Sequence, residues 1–188
     1  MILHVKNMVC DRCIMVVEQQ LVHRGFKVKD IGLGHVDIEP EPSEKQLLDI
    51  GASLGILGFE LIDKEKDKLV AQIRNIIIET VHHNNYGSEI NMNYSELLTQ
   101  RLHKDYSYLS RLFSEHENRT IEKFIIQQKI EKVKELLEYG ELNMNEIALQ
   151  MGYSSSAHLS TQFKNVTGMS PTTYKQERKI ARQALDKI

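Results

Sequence analysis

The stretch NYSELLTQRLHKDYSYLSRLF, residues 93–113, is matched without a gap by NMNEIALQMGYSSSAHLSTQF, residues 143–163. Self-similarity at a fixed period indicates a repeated structural unit. Because only two copies occur, with a long helical pattern between them, we predict two copies of one small binding module acting on the same ligand. The identical pairs are Asn93 with Asn143, Glu96 with Glu146, Gln100 with Gln150, Leu109 with Leu159, Ser110 with Ser160, and Phe113 with Phe163.

Each copy has the pattern of a short helix, a turn and a second helix. In the first copy Ser95 is expected to cap the first helix, and the turn falls at 103–105. In the second copy Asn145 is the expected cap and Gly152 marks the turn. In helix-turn-helix geometry the second helix lies in the major groove, so double-stranded DNA is the expected partner. The large apolar residues of the second helices are expected in the core: Leu109, Phe113, Leu159 and Phe163.

Residues 67–178 resemble the DNA-binding domain of AraC-type transcription regulators. The resemblance lies in DYSYLSRLF (105–113), NEIALQMGY (145–153), HLSTQFK (158–164) and TGMSPTTY (167–174). Three positions depart from the family, because Asn118 replaces the usual Gly, Lys129 the usual Arg and Val133 the usual Ala. The resemblance implies two helix-turn-helix modules joined by a rigid helix at 120–138. They would enter major-groove segments one turn, ~34 Å, apart.

The resemblance also makes exposed residues early in each second helix candidates for contacts with base edges. Arg111 is the best candidate for guanine, because its fork matches O6 and N7, although a surface ion pair stays open as an alternative. For Tyr106 simple surface packing stays equally open. The candidate base contacts are Tyr106, Ser107, Ser110, Arg111, Ser156, His158, Ser160 and Thr161. The candidate phosphate contacts are Lys104, Lys164, Thr172 and Lys175.

The N-terminal third has a different pattern, with strand-like alternation at 2–7 and Gly-rich turns later. Strands at 2–7, 26–31, 35–39 and 59–62 and helices at 14–23 and 44–57 give the order β-α-β-β-α-β, with Ser43 as an N-cap. The chain is therefore expected to be α+β. A ferredoxin-like domain at 1–63 would precede an all-α domain at 64–188, with helices at 68–83, 95–103, 106–116, 120–138, 144–151, 156–166 and 171–186.

The only two cysteines, Cys10 and Cys13, form a C-x-x-C pattern in a predicted loop before the first helix. Thiolates select soft metal ions, and the nearby helix N-terminus is expected to favour the Cys13 thiolate. With this element order, residues 1–63 resemble a heavy-metal-associated domain through Met8, Cys10, Cys13, Gly25 and Leu57-Gly58-Phe59. The resemblance implies metal binding by the cysteines, with Met8 and Phe59 nearby but not ligands. Departures are Asn7 for Gly, Val9 for Thr, and Asp11-Arg12 for a small pair.

Three interpretations of the C-x-x-C pattern stay open: soft-metal sensing, a thiol–disulfide switch without a cofactor, and a domain kept for dimerisation. In the first, Cu(I) is preferred over Zn(II) or Cd(II), because two thiolates suffice for Cu(I) whereas zinc favours four ligands. A homodimer that shares one ion between two cysteine pairs would supply four sulfurs. Weaker candidates for a third ligand are His4, His35, His82 and His83.

The composition narrows the function further. Lys+Arg number 24 against 26 Asp+Glu, and residues 67–188 carry a net charge of only +1, which is weak support for DNA binding. No apolar run could span a membrane, and the first six residues do not form a signal peptide, so a cytoplasmic location is expected. No catalytic constellation is visible, so an enzyme is not expected. We expect a transcription regulator controlled by metal or thiol state. The alternative is a metallochaperone-like protein whose helical half docks a protein partner.

Overall fold

The structure is a computed structural model that describes residues 1–62, 65–83, 93–177, 185–186 and 188. The predicted junction at 63–64, most of the polar turn region at 84–93 and the predicted helix after residue 177 lie outside the described residues, apart from 185–186. The chain divides into two compact units, Met1–Ile76 and Ile77–Ile188. This division falls inside a helix, and the boundary expected between residues 63 and 64 stays a prediction.

The first unit begins with the element order that the sequence pattern predicts. The elements are β1 Ile2–Lys6, α1 Asp11–His23, β2 Lys27–Gly32, β3 His35–Glu39, α2 Glu44–Ile56 and β4 Glu60–Ile62. The four strands form an antiparallel sheet in the order β2-β3-β1-β4. Leu3 and Val5 of β1 and Val36 and Ile38 of β3 are buried, and the buried sides of α1 and α2 complete one hydrophobic core with them.

Helices α1 and α2 begin at defined caps. The predicted cap Ser43 is confirmed, because its side chain accepts from the Gln46 amide while the Gln46 side chain reaches back to the Ser43 amide. Helix α1 begins at Asp11 with Cys10 as its N-cap, so the prediction of a loop through Cys13 was wrong. The amide of Cys13 already donates to the Cys10 carbonyl at 2.9 Å, which places Cys13 in the first helical turn.

The segment predicted as one helix at 68–83 has two parts. Helix α3 spans Glu65–Ile78, and a π-helical turn follows at Glu79–His83. Within the first unit, Asn75 Nδ2 donates to the Leu33 carbonyl at 3.1 Å, so the middle of α3 is tied to the β2–β3 turn. Gly34 in this turn has φ +85°, and a side chain there would collide with Asn75.

The described part of the second unit continues as α-helices, close to the predicted bounds. They are α4 Tyr94–Leu102, α5 Tyr106–Glu117, α6 Ile121–Tyr139, α7 Met144–Gln150, α8 Ser156–Thr167 and α9 Pro171–Glu177. The predicted caps Ser95 and Asn145 were wrong by two residues, because the Asn93 and Asn143 side chains accept from the first-turn amides. Among the described residues, no helix is both long and apolar enough to cross a membrane.

Candidate nucleic-acid interface and thiol site

The two copies of the repeat fold into the same helix pair. The second helices, α5 and α8, begin at Tyr106 and Ser156 and end at Glu117 and Thr167, a constant offset of 50 residues. The four large apolar residues predicted for the core are fully buried, which confirms that prediction: Leu109, Phe113, Leu159 and Phe163. The repeat therefore encodes two helix-turn-helix modules, which we call module 1 (α4–α5) and module 2 (α7–α8).

The structural repeat extends beyond the identical residues. The ring of Phe113 packs on Phe124 with centroids 5.6 Å apart, and Phe163 packs on Tyr174 at 5.5 Å. Phe124 and Tyr174 are again 50 residues apart, so each module packs against the start of a third helix, α6 for module 1 and α9 for module 2. The Tyr174 hydroxyl also donates to Glu138 Oε1 at 2.8 Å. The correspondence between Phe124 and Tyr174 was not predicted from the sequence, although their spacing of 50 residues matches the repeat and could have shown it.

The second helices of the two modules end in the same backbone conformation, but different residue types form the turns that precede them. Asn118 and Gly168 are the C-caps of α5 and α8 and both are left-handed, with φ of 53° and 83°. Asn is the residue that best tolerates this conformation after Gly, so the departure at Asn118 keeps the turn. Between the helices of each module, the chain turns at His103 (φ 51°) in module 1 and at Gly152 (φ 70°) in module 2.

On α5, the candidate base contacts differ in exposure. Ser107 and Arg111 are exposed, while Tyr106 and Ser110 are half-buried. Burial, and secondarily the Glu122 carboxylate, raises the pKa of the Tyr106 hydroxyl, so this group stays a neutral donor. In the part of the chain that the structure describes, no carboxylate forms an ion pair with Arg111. No carboxylate of the described residues therefore competes with a base for this guanidinium.

On α8, the hydroxyls of two candidate residues, Ser160 and Thr161, are already used as donors. Ser160 Oγ donates to the Ser156 carbonyl at 2.8 Å, and Thr161 Oγ1 donates to the Ala157 carbonyl at 3.0 Å. A hydroxyl carries one proton, so in this arrangement both groups can only accept a hydrogen bond from a base, such as an adenine or cytosine amino group. His158 is exposed, and its Nδ1 lies 3.1 Å from Ser154 Oγ.

The candidate phosphate contacts Lys104, Lys164, Thr172 and Lys175 are all exposed. Lys104 lies in the turn of module 1, Lys164 in the last turns of α8, and the other two on α9. Contact of these and of the preceding residues with DNA stays a prediction.

The two thiols lie side by side at the start of α1. Cys10 Sγ and Cys13 Sγ are 3.4 Å apart, and both residues are half-buried. The helix N-terminus was expected to favour the Cys13 thiolate, but burial raises the pKa of this thiol. The neighbouring Cys10 thiol raises it further, against hydrogen bonds from nearby backbone amides. Two soft donors this close can reach one ion, so the residues present fit the implied metal.

The surroundings of the two thiols are a hydrophobic core and a hydrogen bond of the preceding residue Asn7. Met8 is fully buried and Phe59 nearly so, and both belong to the core against which Cys13 packs. Asn7 adopts φ +71°, a left-handed conformation that Gly adopts more easily, and its Nδ2 donates to the Gly58 carbonyl at 2.9 Å. This bond joins the segment between β1 and α1, which leads to the two cysteines, to the turn before β4. The sequence did not reveal this link.

The histidines considered as further ligands have other neighbours. His35 Nε2 lies 3.4 Å from Asp30 Oδ2, and His4 is paired with His35 across the sheet. In the second unit, His82 Nε2 hydrogen-bonds Gln128 Oε1 at 2.9 Å. Over the described ranges, no three His, Cys, Asp or Glu side chains are grouped so as to hold a metal ion.

Residues 98–177 match the family model described as a helix-turn-helix domain. The C-terminal domain of AraT, a response regulator from Geobacillus stearothermophilus, is 27% identical, with a TM-score of 0.51 over 63% of this chain and 92% of that chain. This part of the chain therefore contains a helix-turn-helix domain.

Two curated relatives match over shorter shares of their own length. The Msm operon regulatory protein of Streptococcus mutans is 32% identical over 108 residues, 57% of this chain and 36% of that protein. The raffinose operon transcriptional regulatory protein of Pediococcus pentosaceus is 33% identical over 70 residues, 37% of this chain and 25% of that protein. The chain thus spans about a third or less of these relatives.

Proposed function

We propose that this chain is a sequence-specific DNA-binding transcription regulator. The observation that carries the proposal is the pair of modules, which repeat the Asn cap of the first helix, the core residues and the aromatic contacts at a constant offset. Two equivalent second helices suit successive segments of one duplex. The regulatory roles named for the Streptococcus mutans and Pediococcus pentosaceus proteins support the same class of function.

DNA recognition in this proposal depends on a few placed contacts. The charge of the second half is nearly balanced, so non-specific attraction to phosphates is weak. Arg111 and Ser107 on α5 and the acceptor hydroxyls of α8 would read bases. Lys104, Lys164, Thr172 and Lys175 would fix the protein on the backbone.

We also propose that the N-terminal unit is a ferredoxin-like, heavy-metal-associated domain that controls DNA binding through Cys10 and Cys13. The adjacent, half-buried thiols over a core containing Met8 and Phe59 support this assignment. A Cu(I)-type ion is the preferred signal, since such ions favour thiolate ligands and need few of them. When bound, the ion would supply charge and would draw both thiols into their deprotonated form.

A thiol–disulfide switch is the second candidate at the same residues. The 3.4 Å separation of the two sulfurs favours it, because little movement would be needed for a bond between them. Reduced and oxidised protein would then differ in DNA affinity without any metal.

DNA binding is tested by selecting bound duplexes from a random-sequence library. The affinity of the protein for the enriched duplex is then measured by fluorescence anisotropy. We expect tight, salt-dependent binding to the enriched duplex and much weaker binding to its shuffled version. Equal affinity for both duplexes would reject sequence-specific recognition. It would favour the metallochaperone-like alternative with a protein partner.

The control by metal or thiol state is tested on the same duplex. Wild type and a Cys10→Ser/Cys13→Ser variant are titrated with Cu(I) and with Zn(II) under reducing conditions, and in parallel treated with an oxidant. Metal sensing predicts Cu(I) binding and a change in DNA affinity only in wild type. A change only on oxidation supports the disulfide switch, and no difference between wild type and variant excludes both. Native mass measured during the titration shows whether a homodimer forms.

A further inference from the structure

Lys129, on the connecting helix α6, contacts both modules. Its Nζ donates to the Met151 carbonyl of module 2 at 2.9 Å. The same nitrogen lies 5.6 Å from the ring centre of Tyr153, in the turn of module 2, and 5.7 Å from that of Tyr94, the first residue of module 1. Both distances lie within the range of cation–π attraction. One ammonium group therefore joins the two modules to the helix between them.

This cation depends on aromatic faces and a carbonyl group. Burial lowers the pKa of Lys129, and among the described residues no carboxylate forms an ion pair with it. Met151 is the C-cap of α7, where free carbonyls and the helix dipole favour a positive charge. Desolvated cation–π contacts are stronger than exposed ones, so the two rings matter more here than at a surface.

The tyrosines act through their rings. The hydroxyl oxygens of Tyr94 and Tyr153 are buried, and neither has a hydrogen-bond partner in the described structure. Burial raises the pKa of both hydroxyls to about 12, so neither offers a negative charge to Lys129. Phenylalanine should therefore replace either tyrosine without weakening the contact with Lys129.

The contacts continue into α8, the second helix of module 2. We call α5 and α8 the recognition helices. The Tyr153 ring meets the His158 ring edge-on, with centroids 5.3 Å apart and an interplanar angle of 86°. His158 lies in the first turn of α8, where a candidate base contact is expected. A continuous series of contacts thus runs from Tyr94 through Lys129 and Tyr153 to His158.

We propose that Lys129, held by the rings of Tyr94 and Tyr153, is a positioning residue that sets the separation and orientation of the two recognition helices. It thereby sets which spacing between two DNA segments the protein accepts. The second statement rests on the proposed DNA-binding function, whereas the first concerns the protein alone. A residue that only stabilises the fold would leave both the helix separation and the accepted spacing unchanged.

The first measurement needs no DNA. Spin labels are placed at the exposed positions Glu115 on α5 and Asn165 on α8, in the full chain with Cys10→Ser and Cys13→Ser, and their distance distribution is measured by pulsed electron paramagnetic resonance. Lys129→Met and Tyr153→Leu should shift or broaden the distribution. Tyr153→Phe and the exposed control Lys123→Met should leave it unchanged. Should Lys129→Met not fold, Tyr94→Leu tests the same contact from the other module.

The second measurement uses the duplex selected from the random library, with base pairs inserted or removed between its two contacted segments. Wild type should prefer one spacing. In Lys129→Met that preference should fall by about tenfold, while Lys129→Arg, which keeps the cation, should retain it. Unchanged distances and unchanged spacing preference in folded Lys129→Met and Tyr153→Leu would overturn the proposal. If the distances change but even wild type selects no sequence, the positioning role is supported and the DNA-binding function fails.

Discussion

Arg111 and Lys164 are exposed cations on α5 and α8 with different proposed roles. Arg111→Met should weaken binding to the selected duplex by about 1–3 kcal/mol and relax the preference at one base pair. Lys164→Met should weaken binding to all sequences alike and reduce the slope of log K against log salt by about 1. Anisotropy titrations over a salt series measure both effects.

Lys123 is exposed on α6, and Lys123→Met is the control for the loss of one positive charge at a position with no proposed DNA contact. A salt slope that falls equally in all three variants would contradict the division into base and phosphate contacts.

Asn7 combines a left-handed backbone with a hydrogen bond to Gly58. Asn7→Gly keeps the conformation and loses the bond, which should cost about 1 kcal/mol of unfolding free energy. Asn7→Ala loses the bond and adds backbone strain of about 1 kcal/mol or more, so it should be the less stable variant. Urea denaturation of both variants, with thiol reactivity measured alongside, checks this order. Equal stability would show that the backbone conformation carries no strain.

Single residues were predictable where their role is local and apolar. Leu109 and Phe113 follow from helical periodicity, and the repeat confirms them at Leu159 and Phe163. The hydrogen bond between Asn7 and Gly58 was not predictable, because it joins residues 51 positions apart and no pattern in the sequence records such a contact.

Helix α7 begins with a fuller cap than α4. The Asn143 side chain accepts from the amides of Asn145 and Glu146, and Glu146 reaches back to the Asn143 amide, whereas Asn93 accepts from one backbone amide, that of Ser95. Asn143→Ala should therefore cost about 1–2 kcal/mol, and Asn93→Ala less. Chemical denaturation of the two variants measures the difference. Asn145→Ala is the matched control and should be near neutral, and a large loss there would restore the cap predicted from sequence.

The caps show why element boundaries are harder to predict than elements. Ser95 and Asn145 are good capping residue types, and so are Asn93 and Asn143 two positions earlier. The choice depends on which residue leaves the helical conformation, and the repeated Asn at an offset of 50 was the stronger signal. Likewise Cys10, an uncommon cap, begins α1 because its backbone is extended and its carbonyl accepts the first helical bonds.

His82 makes the unfolding free energy of the protein depend on pH. Burial lowers the pKa of His82 from 6.5 to about 4, against the hydrogen bond with Gln128. Between these values the unfolded chain binds the proton and the folded chain does not, so stability falls as pH falls. From pH 7 to pH 5 the loss should be about 2 kcal/mol.

Urea unfolding at a series of pH values measures this loss. In His82→Gln, which cannot titrate, the drop between pH 7 and pH 5 should be smaller by roughly that amount, about 2 kcal/mol. An identical pH dependence in both proteins would show that other groups dominate.

The sequence predicted most of the elements of both units, but not the π-helical turn at Glu79–His83. Alternation, glycines and caps are local signals, and they predicted the element order of the first unit and the helices of the second. No local pattern in the sequence marks the change from α3 to a π-helical turn at Glu79, in which His82 hydrogen-bonds Gln128 of α6, 46 positions away.

Tyr174 covers the Phe163 ring and anchors to Glu138, so α9 closes the core of module 2 from outside that module. Proteolysis or a stop codon just before Tyr174 would leave both recognition helices in the chain and bring a large aromatic surface into water. Such shortened proteins should aggregate, which limits how far this domain can be trimmed from its C-terminal side.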